Sequence, residues 1–356
     1  MKMIPHSSSF LDKSDFSHVS DITDRNYIGE GKICAELINH LKSISSRKYA
    51  ILSNNGSEAL ELALYGLKVL FPGKSHVIVS SYTCTSVINA ILKASLKPVF
   101  TDILRDSLNI DSSDAANKIN GNILAIICSN IGGVPDDYGK IKQFRIPIIS
   151  DCAQALGTIF NSKCLMSQGY CTALSFGSTK MITGGLGGAL LCDNSEFYKI
   201  VKRYSLPELK VSEYISEGFF HTSGQHSSDL NSGVTLSQLK RLPDIIKRRR
   251  HISDIYDSSL SALKDISILK ESPGLRFNRF RYYFLTHNSK SWLAFLQNNY
   301  IDARSSISHV IPCYFKSRNK FINLHKTASQ VVSLPIYPGL KGIQLEYISS
   351  VINSFK

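Results

Sequence analysis

Between residues 48 and 192 the chain alternates short, β-branched apolar runs with segments of helical periodicity, and this alternation constrains the fold more than any other feature. "YAILS" leads into "SEALELALYGLKVLF", in which Ala59, Leu60, Leu62, Ala63 and Leu67 suit one buried helix face. "HVIVSS" precedes the helical "TSVINAILKAS", and "KPVFTDI", "NILAIICSN" and "IPIISD" follow as further apolar runs. Runs that are apolar throughout belong to strands covered on both faces, and helices between them supply the crossovers of a parallel sheet. The expectation is an α/β fold, with a large domain built on a mainly parallel central sheet flanked by helices. In such folds ligands bind outside the carboxyl ends of the strands.

A helical pattern over residues 235 to 263 comes next, with Pro243 either kinking it or marking its true start. Beyond it lie the strand-like "RYYFLTH", the helical "SKSWLAFLQNNY" and a closing helix, "LEYISSVINSF". At 356 residues the chain exceeds the usual size of a single core. The expected division is an N-terminal segment and large domain at 1–245 and a small C-terminal α+β domain at 246–356.

Composition removes several function classes. No apolar run is long enough to span a bilayer, and "MKMIPHSSSFLDKSDFSHVSD" lacks the apolar centre of a signal peptide, so a cytoplasmic protein with no membrane partner is expected. Cys34, Cys84, Cys128, Cys152, Cys164, Cys171, Cys192 and Cys313 form no CxxC pair and no zinc-ligand spacing, which reads as reduced, buried thiols and no metal site. The net charge of +13 calls for an anionic partner or a solvated basic surface. With no recognisable nucleic-acid module and no interleaved aromatics, nucleic acid is not the expected partner. The densest basic run is "KRRRH", where Arg248, Arg249 and Arg250 either steer a phosphorylated substrate or form a solvated helix face.

Three pieces carry chemistry. In "TALSFGSTKMITGGLGGALLCD" a single lysine, Lys180, stands between a strand-like segment and a glycine-rich loop. It is either a surface lysine beside a turn or an amine that forms a Schiff base, where glycine lets backbone and cofactor come close. Ser175, five residues earlier, is placed to donate to a phosphate. In "SNNGSEALELAL", Gly56 and Ser57 open a helix whose free N–H groups and dipole suit a phosphate, unless Ser57 is a plain N-cap. In "IPIISDCAQALG", Asp151 ends an apolar strand, and a buried carboxylate needs a partner. A protonated pyridine nitrogen would serve, as would the next helix if Asp151 caps it. Gln154 either meets a ring substituent or faces solvent.

These segments, with "KPVFTDI", "LSQLKRL" and "VVSLPIYPGL", run in one order from about residue 27 onward. The chain resembles the DegT/DnrJ/StrS family of pyridoxal-phosphate (PLP) sugar aminotransferases, which have the aspartate-aminotransferase fold. "SDCAQALG" followed by "SFGSTK…GGLGG" carries most of that specificity. The resemblance implies PLP as cofactor, Lys180 as the Schiff-base lysine and Asp151 as the partner of the pyridine nitrogen. It places Gln154 near the ring hydroxyl, and Gly56, Ser57 and Ser175 at the phosphate. Asn231, in "DLNSGVTLSQL", falls where the family has an asparagine reaching the phosphate of the neighbouring subunit, which implies a homodimer with composite active sites.

The implied reaction moves an amino group from L-glutamate to a keto-sugar nucleotide, giving an amino sugar for glycan or lipopolysaccharide (O-antigen) biosynthesis. An aminotransferase acting on a cyclitol or other non-nucleotide carbonyl compound, and a catalytically idle binding or regulatory relative, are the alternatives. Related sugar dehydratases carry histidine where Lys180 stands. Four positions depart from the family pattern. Cys84 replaces the aromatic that stacks on the ring, with Tyr82 the aromatic able to compensate. Tyr170 replaces an aspartate, Gly233 an arginine and Ser129 a histidine. These departures bear on the cofactor's ring-binding position and on the substrate pocket.

Overall fold

The computed structural model describes residues 2–206, 223–224, 227–306 and 320–355. In chain order the first strands are β1 (Tyr49–Ser53), β2 (His76–Ser80), β3 (Lys97–Thr101), β4 (Ile123–Cys128) and β5 (Ile148–Asp151). A small hairpin of β6 (Ile159–Phe160) and β7 (Lys163–Cys164) precedes β8 (Cys171–Ser175) and β9 (Gly188–Cys192). Seven of these form one sheet in the order β1-β9-β8-β5-β4-β2-β3. Pairings from β8 to β3 are parallel, whereas β9 runs antiparallel to both of its neighbours. Every residue of β4 is buried, as a strand covered on both faces requires.

Helix Gly56–Leu70 buries the face that its periodicity predicts, with Ala59, Leu62, Ala63 and Leu67 wholly inaccessible. It packs on one face of the sheet with helices Thr85–Lys93 and Ser195–Ser205, and helix Lys32–Ser45 covers the other. A second sheet of β10 (Ser267–Ile268), β11 (Tyr282–Leu285) and β12 (Val331–Leu334) is antiparallel throughout. Its core joins helices Leu242–Leu260, Ser289–Asn298 and Gly342–Ser354, and Ile4 is part of it through a bridge to Ile301.

The helical pattern over 235 to 263 is two helices, Asp229–Lys240 and Leu242–Leu260, separated at Arg241. Pro243 lies in the first turn of the second, where its missing N–H costs nothing, so it marks a start and not a kink.

The basic run does neither of the things expected of it. Arg248 donates to the Leu340 carbonyl at 2.6 Å, and Arg250 forms a two-toothed pair with Glu271 at 2.7 and 2.9 Å. Arg249, only 4% exposed, donates to the carbonyls of Ile336 (2.6 Å), Phe280 (3.2 Å) and Arg279 (3.4 Å). Burial, helped by Arg281, pulls the Arg249 guanidinium down to about 9. The run is a set of internal ties, and a charge pattern on one helix cannot show that its acceptors are carbonyls on remote segments.

Cys34, Cys128, Cys152, Cys164, Cys171 and Cys192 are free thiols, and Cys313 lies outside the described residues. Among the described residues no helix is long and apolar enough to cross a membrane.

Replacing Arg249 with methionine, which keeps the volume and strands the carbonyls, should lower unfolding free energy by about 2–4 kcal/mol in chemical denaturation. Arg248→Met, whose site is more exposed, should cost less than half of that.

Candidate active site

The carboxyl ends of β1, β2, β5 and β8 lead into the segments that hold Gly56, Cys84, Asp151 and Lys180 respectively. At the β1 end, Asn55 is the N-cap of helix Gly56–Leu70, its side chain accepting from the Glu58 N–H at 3.0 Å. Ser57 is therefore not the cap. Its hydroxyl makes no hydrogen bond among the described residues, and the first N–H groups of the helix have no acceptor within it. The end of β8 abuts this point so closely that a Cβ on Gly56 would stand 2.7 Å from Ser175 Cβ. Glycine at 56 thus leaves a side-chain-free seat at a helix N-terminus, flanked by the Ser57 and Ser175 hydroxyls, and such a seat suits a phosphate.

The glycine-rich loop after Lys180 closes the same corner. The Gly187 N–H donates to the Asn54 carbonyl at 2.8 Å, and a Cβ on Gly188 would lie 2.5 Å from the Asn55 carbonyl oxygen. Only glycine lets β9 return this tightly past the helix start.

Asp151 is 7% exposed at the end of β5. One carboxylate oxygen, Oδ1, accepts from the Ala153 N–H at 3.0 Å, and among the described residues Oδ2 has no hydrogen-bond donor. The segment that follows is a set of turns, so Asp151 caps no helix. Burial raises its carboxyl above the ordinary range, opposed by the Ala153 hydrogen bond and by Lys180. A buried carboxylate satisfied on one side fits a cationic N–H donor from a ligand, and a pyridinium is such a donor.

Gln154 does not face solvent. Its Oε1 accepts from the Gly132 N–H at 2.8 Å, which turns the amide nitrogen toward Cys84 Sγ, 3.8 Å away. Gln154, Cys84 and Lys180 line a cavity of about 470 Å³ whose other wall comes from Phe280 and Arg281 at the entry to β11, from helix Ser289–Asn298 and the loop after it, and from His6 of the N-terminal segment. Lys180 Nζ lies 5.9 Å from the centre of the Phe280 ring. Asn278 fixes that wall by donating to the carbonyls of Gln154 and Leu156, both at 2.9 Å. Ser9 reaches across to the Ser178 carbonyl at 2.5 Å, beside the lysine turn.

Asn231 stands apart. Its amide donates to the Gly184 carbonyl of its own chain at 2.7 Å, and it lines a separate cleft of about 240 Å³ with Asn54, Gly187 and Ser228. Tyr82 is wholly buried and belongs to a core cluster with Ile103 and Ile131, not to the cavity wall, so it does not stand in for the aromatic absent at Cys84. Tyr170 packs edge-on to Phe71 and Phe197, Ser129 bonds Thr83 at 3.0 Å, and Gly233 gives room to His18. Phe280, Arg281 and His6 escaped the sequence reading because nothing local marks them. They meet the site only through contacts spanning much of the chain.

A model of the DegT/DnrJ/EryC1/StrS aminotransferase family matches residues 10–354. GDP-perosamine synthase of Vibrio cholerae is 28% identical over 374 residues, covering 99% of each chain. The dTDP-4-amino-4,6-dideoxy-D-glucose transaminase of Shigella dysenteriae is 28% identical over 350 residues, 94% of this chain and 93% of its own. A sugar aminotransferase of Micromonospora echinospora shares the fold at a TM-score of 0.90 and 21% identity, over 99% of this chain and 100% of its own. Fold and comparisons together define a PLP-dependent aminotransferase. The chain belongs to the DegT/DnrJ/EryC1/StrS aminotransferase family.

Gly56→Ala should destabilise the protein by about 1–3 kcal/mol through overpacking against Ser175. A double-mutant cycle with Ser175→Gly, followed by denaturant unfolding, should recover at least half of that loss.

Proposed function

We propose that this protein moves an amino group from L-glutamate to a keto-sugar nucleotide, working in the cytoplasm as a homodimer. The carrying observation is the meeting, at one sheet edge, of a free amine, a half-satisfied buried carboxylate and a side-chain-free helix N-terminus. The nucleotide-linked sugars in the names of the Vibrio cholerae and Shigella dysenteriae relatives support the substrate class. The division into residues 1–245 and 246–356 follows the two sheets, each with its own main core, although Ile4 packs in the second core, Phe280 in the first, and a further cluster around Tyr82 and Tyr283 draws on both.

In this reading the Gly56 and Ser57 N–H groups, with the Ser57 and Ser175 hydroxyls, hold the PLP phosphate. Asp151 Oδ2 accepts from the pyridine nitrogen and keeps its proton in place. The Gln154 amide nitrogen donates to the ring hydroxyl. Bound at Lys180, PLP supplies an electron sink for the charge that develops at the donor's α-carbon. Once the donor's amine has displaced it from the cofactor, the freed Lys180 Nζ would be the base that takes the proton from that α-carbon. Phe280 covers the amine and excludes water from it. Asn231 completes the phosphate site of a second copy of the chain, consistent with its place in a separate cleft. Cys84 puts a small thiol where a ring would otherwise lie, which leaves space over the cofactor.

The test is the visible spectrum of the purified protein with PLP, before and after L-glutamate. A band that requires Lys180 and bleaches with glutamate is expected. Lys180→Ala should lower turnover at least about 100-fold, as loss of a general base does. Asp151→Asn should keep the band and lose about 100-fold in rate. A protein without a Lys180-dependent band is not a transaminase and takes the idle-relative reading instead.

A further inference from the structure

Among the described residues, the Arg281 guanidinium in the Lys180 cavity forms no ion pair with a carboxylate. Arg281 donates through Nη1 to the Ser7 hydroxyl at 2.7 Å, a neutral acceptor, and its Nε is buried without a partner. Its guanidinium lies over the Phe280 ring, 4.6 Å from the centre, and the same ring faces Lys180 Nζ. Its backbone N–H is held by the Gly132 carbonyl at 3.3 Å, and the Gly132 N–H is held by Gln154, so Arg281 and Gln154 share one support.

The neighbouring charges do not neutralise it. Asp302 is matched by Arg304, at 3.0 and 3.3 Å, and also accepts from the His6 N–H at 3.1 Å. Burial, followed by Arg281 and Arg304, pushes His6 down to about 3, so it is neutral near pH 7. Burial and Arg304 bring Arg281 down to about 10, which leaves it charged. A charged guanidinium largely removed from water, with no carboxylate and an idle N–H, is costly unless a ligand supplies the anion. Its planar fork matches the paired oxygens of a carboxylate or phosphate.

We propose that Arg281 is the oxyanion-reading residue of the substrate cavity, binding either the carboxylate of the amino donor or the diphosphate of the sugar nucleotide. This rests on the aminotransferase reading and names the substrate chemistry of the same site. Phe280 supports the guanidinium from below, and Ser7, on the N-terminal segment, sets its direction.

The experiment compares wild type, Arg281→Gln and Arg281→Lys as PLP-loaded proteins in two arms. One arm follows bleaching of the PLP band against L-glutamate concentration. The other measures binding of GDP, UDP and dTDP by calorimetry. Arg281→Gln should weaken one arm about 10- to 100-fold, as loss of a charge-assisted hydrogen bond does, with the PLP band and melting temperature unchanged. Arg281→Lys should recover part of the loss, because it keeps charge and loses the fork. A shift in the glutamate arm identifies the donor carboxylate, and a shift in the nucleotide arm identifies the diphosphate.

No shift in either arm overturns the proposal, including the case in which wild type binds none of the nucleotides. A loss of the PLP band and melting temperature in both variants also overturns it, since that marks a structural role. If wild type itself shows no Lys180-dependent band, the aminotransferase reading fails and this proposal fails with it. A band that persists beside a silent Arg281 removes only this proposal.

Discussion

Asn278 is wholly buried and uses its polar groups to join the second sheet to the first. Its amide nitrogen donates to two carbonyls of the turn that follows β5, and its Oδ1 accepts from the Phe280 N–H at 2.9 Å. Its own N–H reaches the Thr158 hydroxyl at 3.3 Å. The turn that orients Gln154 and the segment that carries Phe280 and Arg281 into β11 therefore share one rigid connector. Arg249 grips the same strand entry from the other side, through the carbonyls of Arg279 and Phe280. Without these ties the cavity would have one wall, since the large sheet alone provides Lys180, Gln154 and Cys84 but nothing to face them.

The site is assembled from groups that the fold leaves incomplete. Among the described residues, Asp151 keeps one oxygen unsatisfied, Arg281 keeps a buried N–H idle, and the helix start at Gly56 keeps its first donors free. Each is unfavourable in isolation, and in the proposed reading each meets one charged part of the cofactor or of its substrates. A ligand that binds only the folded chain shifts unfolding in its favour, so filling these positions stabilises the protein as it enables the reaction.

The parallel sheet was legible because continuous apolar strands and intervening helical faces are local patterns, as at "NILAIICSN" and "SEALELALYGLKVLF". The placing of Asp151, Ser57 and Ser175 at strand ends, and of Lys180 in the turn beyond one, was legible because such ends converge in this class of fold. The arginine run was misread because its charge is visible in sequence and its acceptors are not. The carbonyls of Phe280 and Ile336 are identified only by packing. Pro243 was ambiguous for a similar reason, since a proline suits the first turn of a helix and disrupts its interior, and residue periodicity runs unbroken across both cases. Asn231, expected to reach the phosphate of a neighbouring subunit, makes its contact within one chain to the Gly184 carbonyl, away from the lysine cavity.

The N-terminal segment enters the far wall through His6, whose backbone bonds Asp302 and whose ring bonds Ser333, across 296 and 327 residues of chain. Both contacts close nearly the whole chain into a loop, at an entropic cost that grows only slowly with loop length. The phosphate seat draws on β1 and β8 and can form with the large sheet. The facing wall needs both ends of the chain. One side of the cavity is thus local to the large sheet, and the other exists only where the two ends of the chain meet.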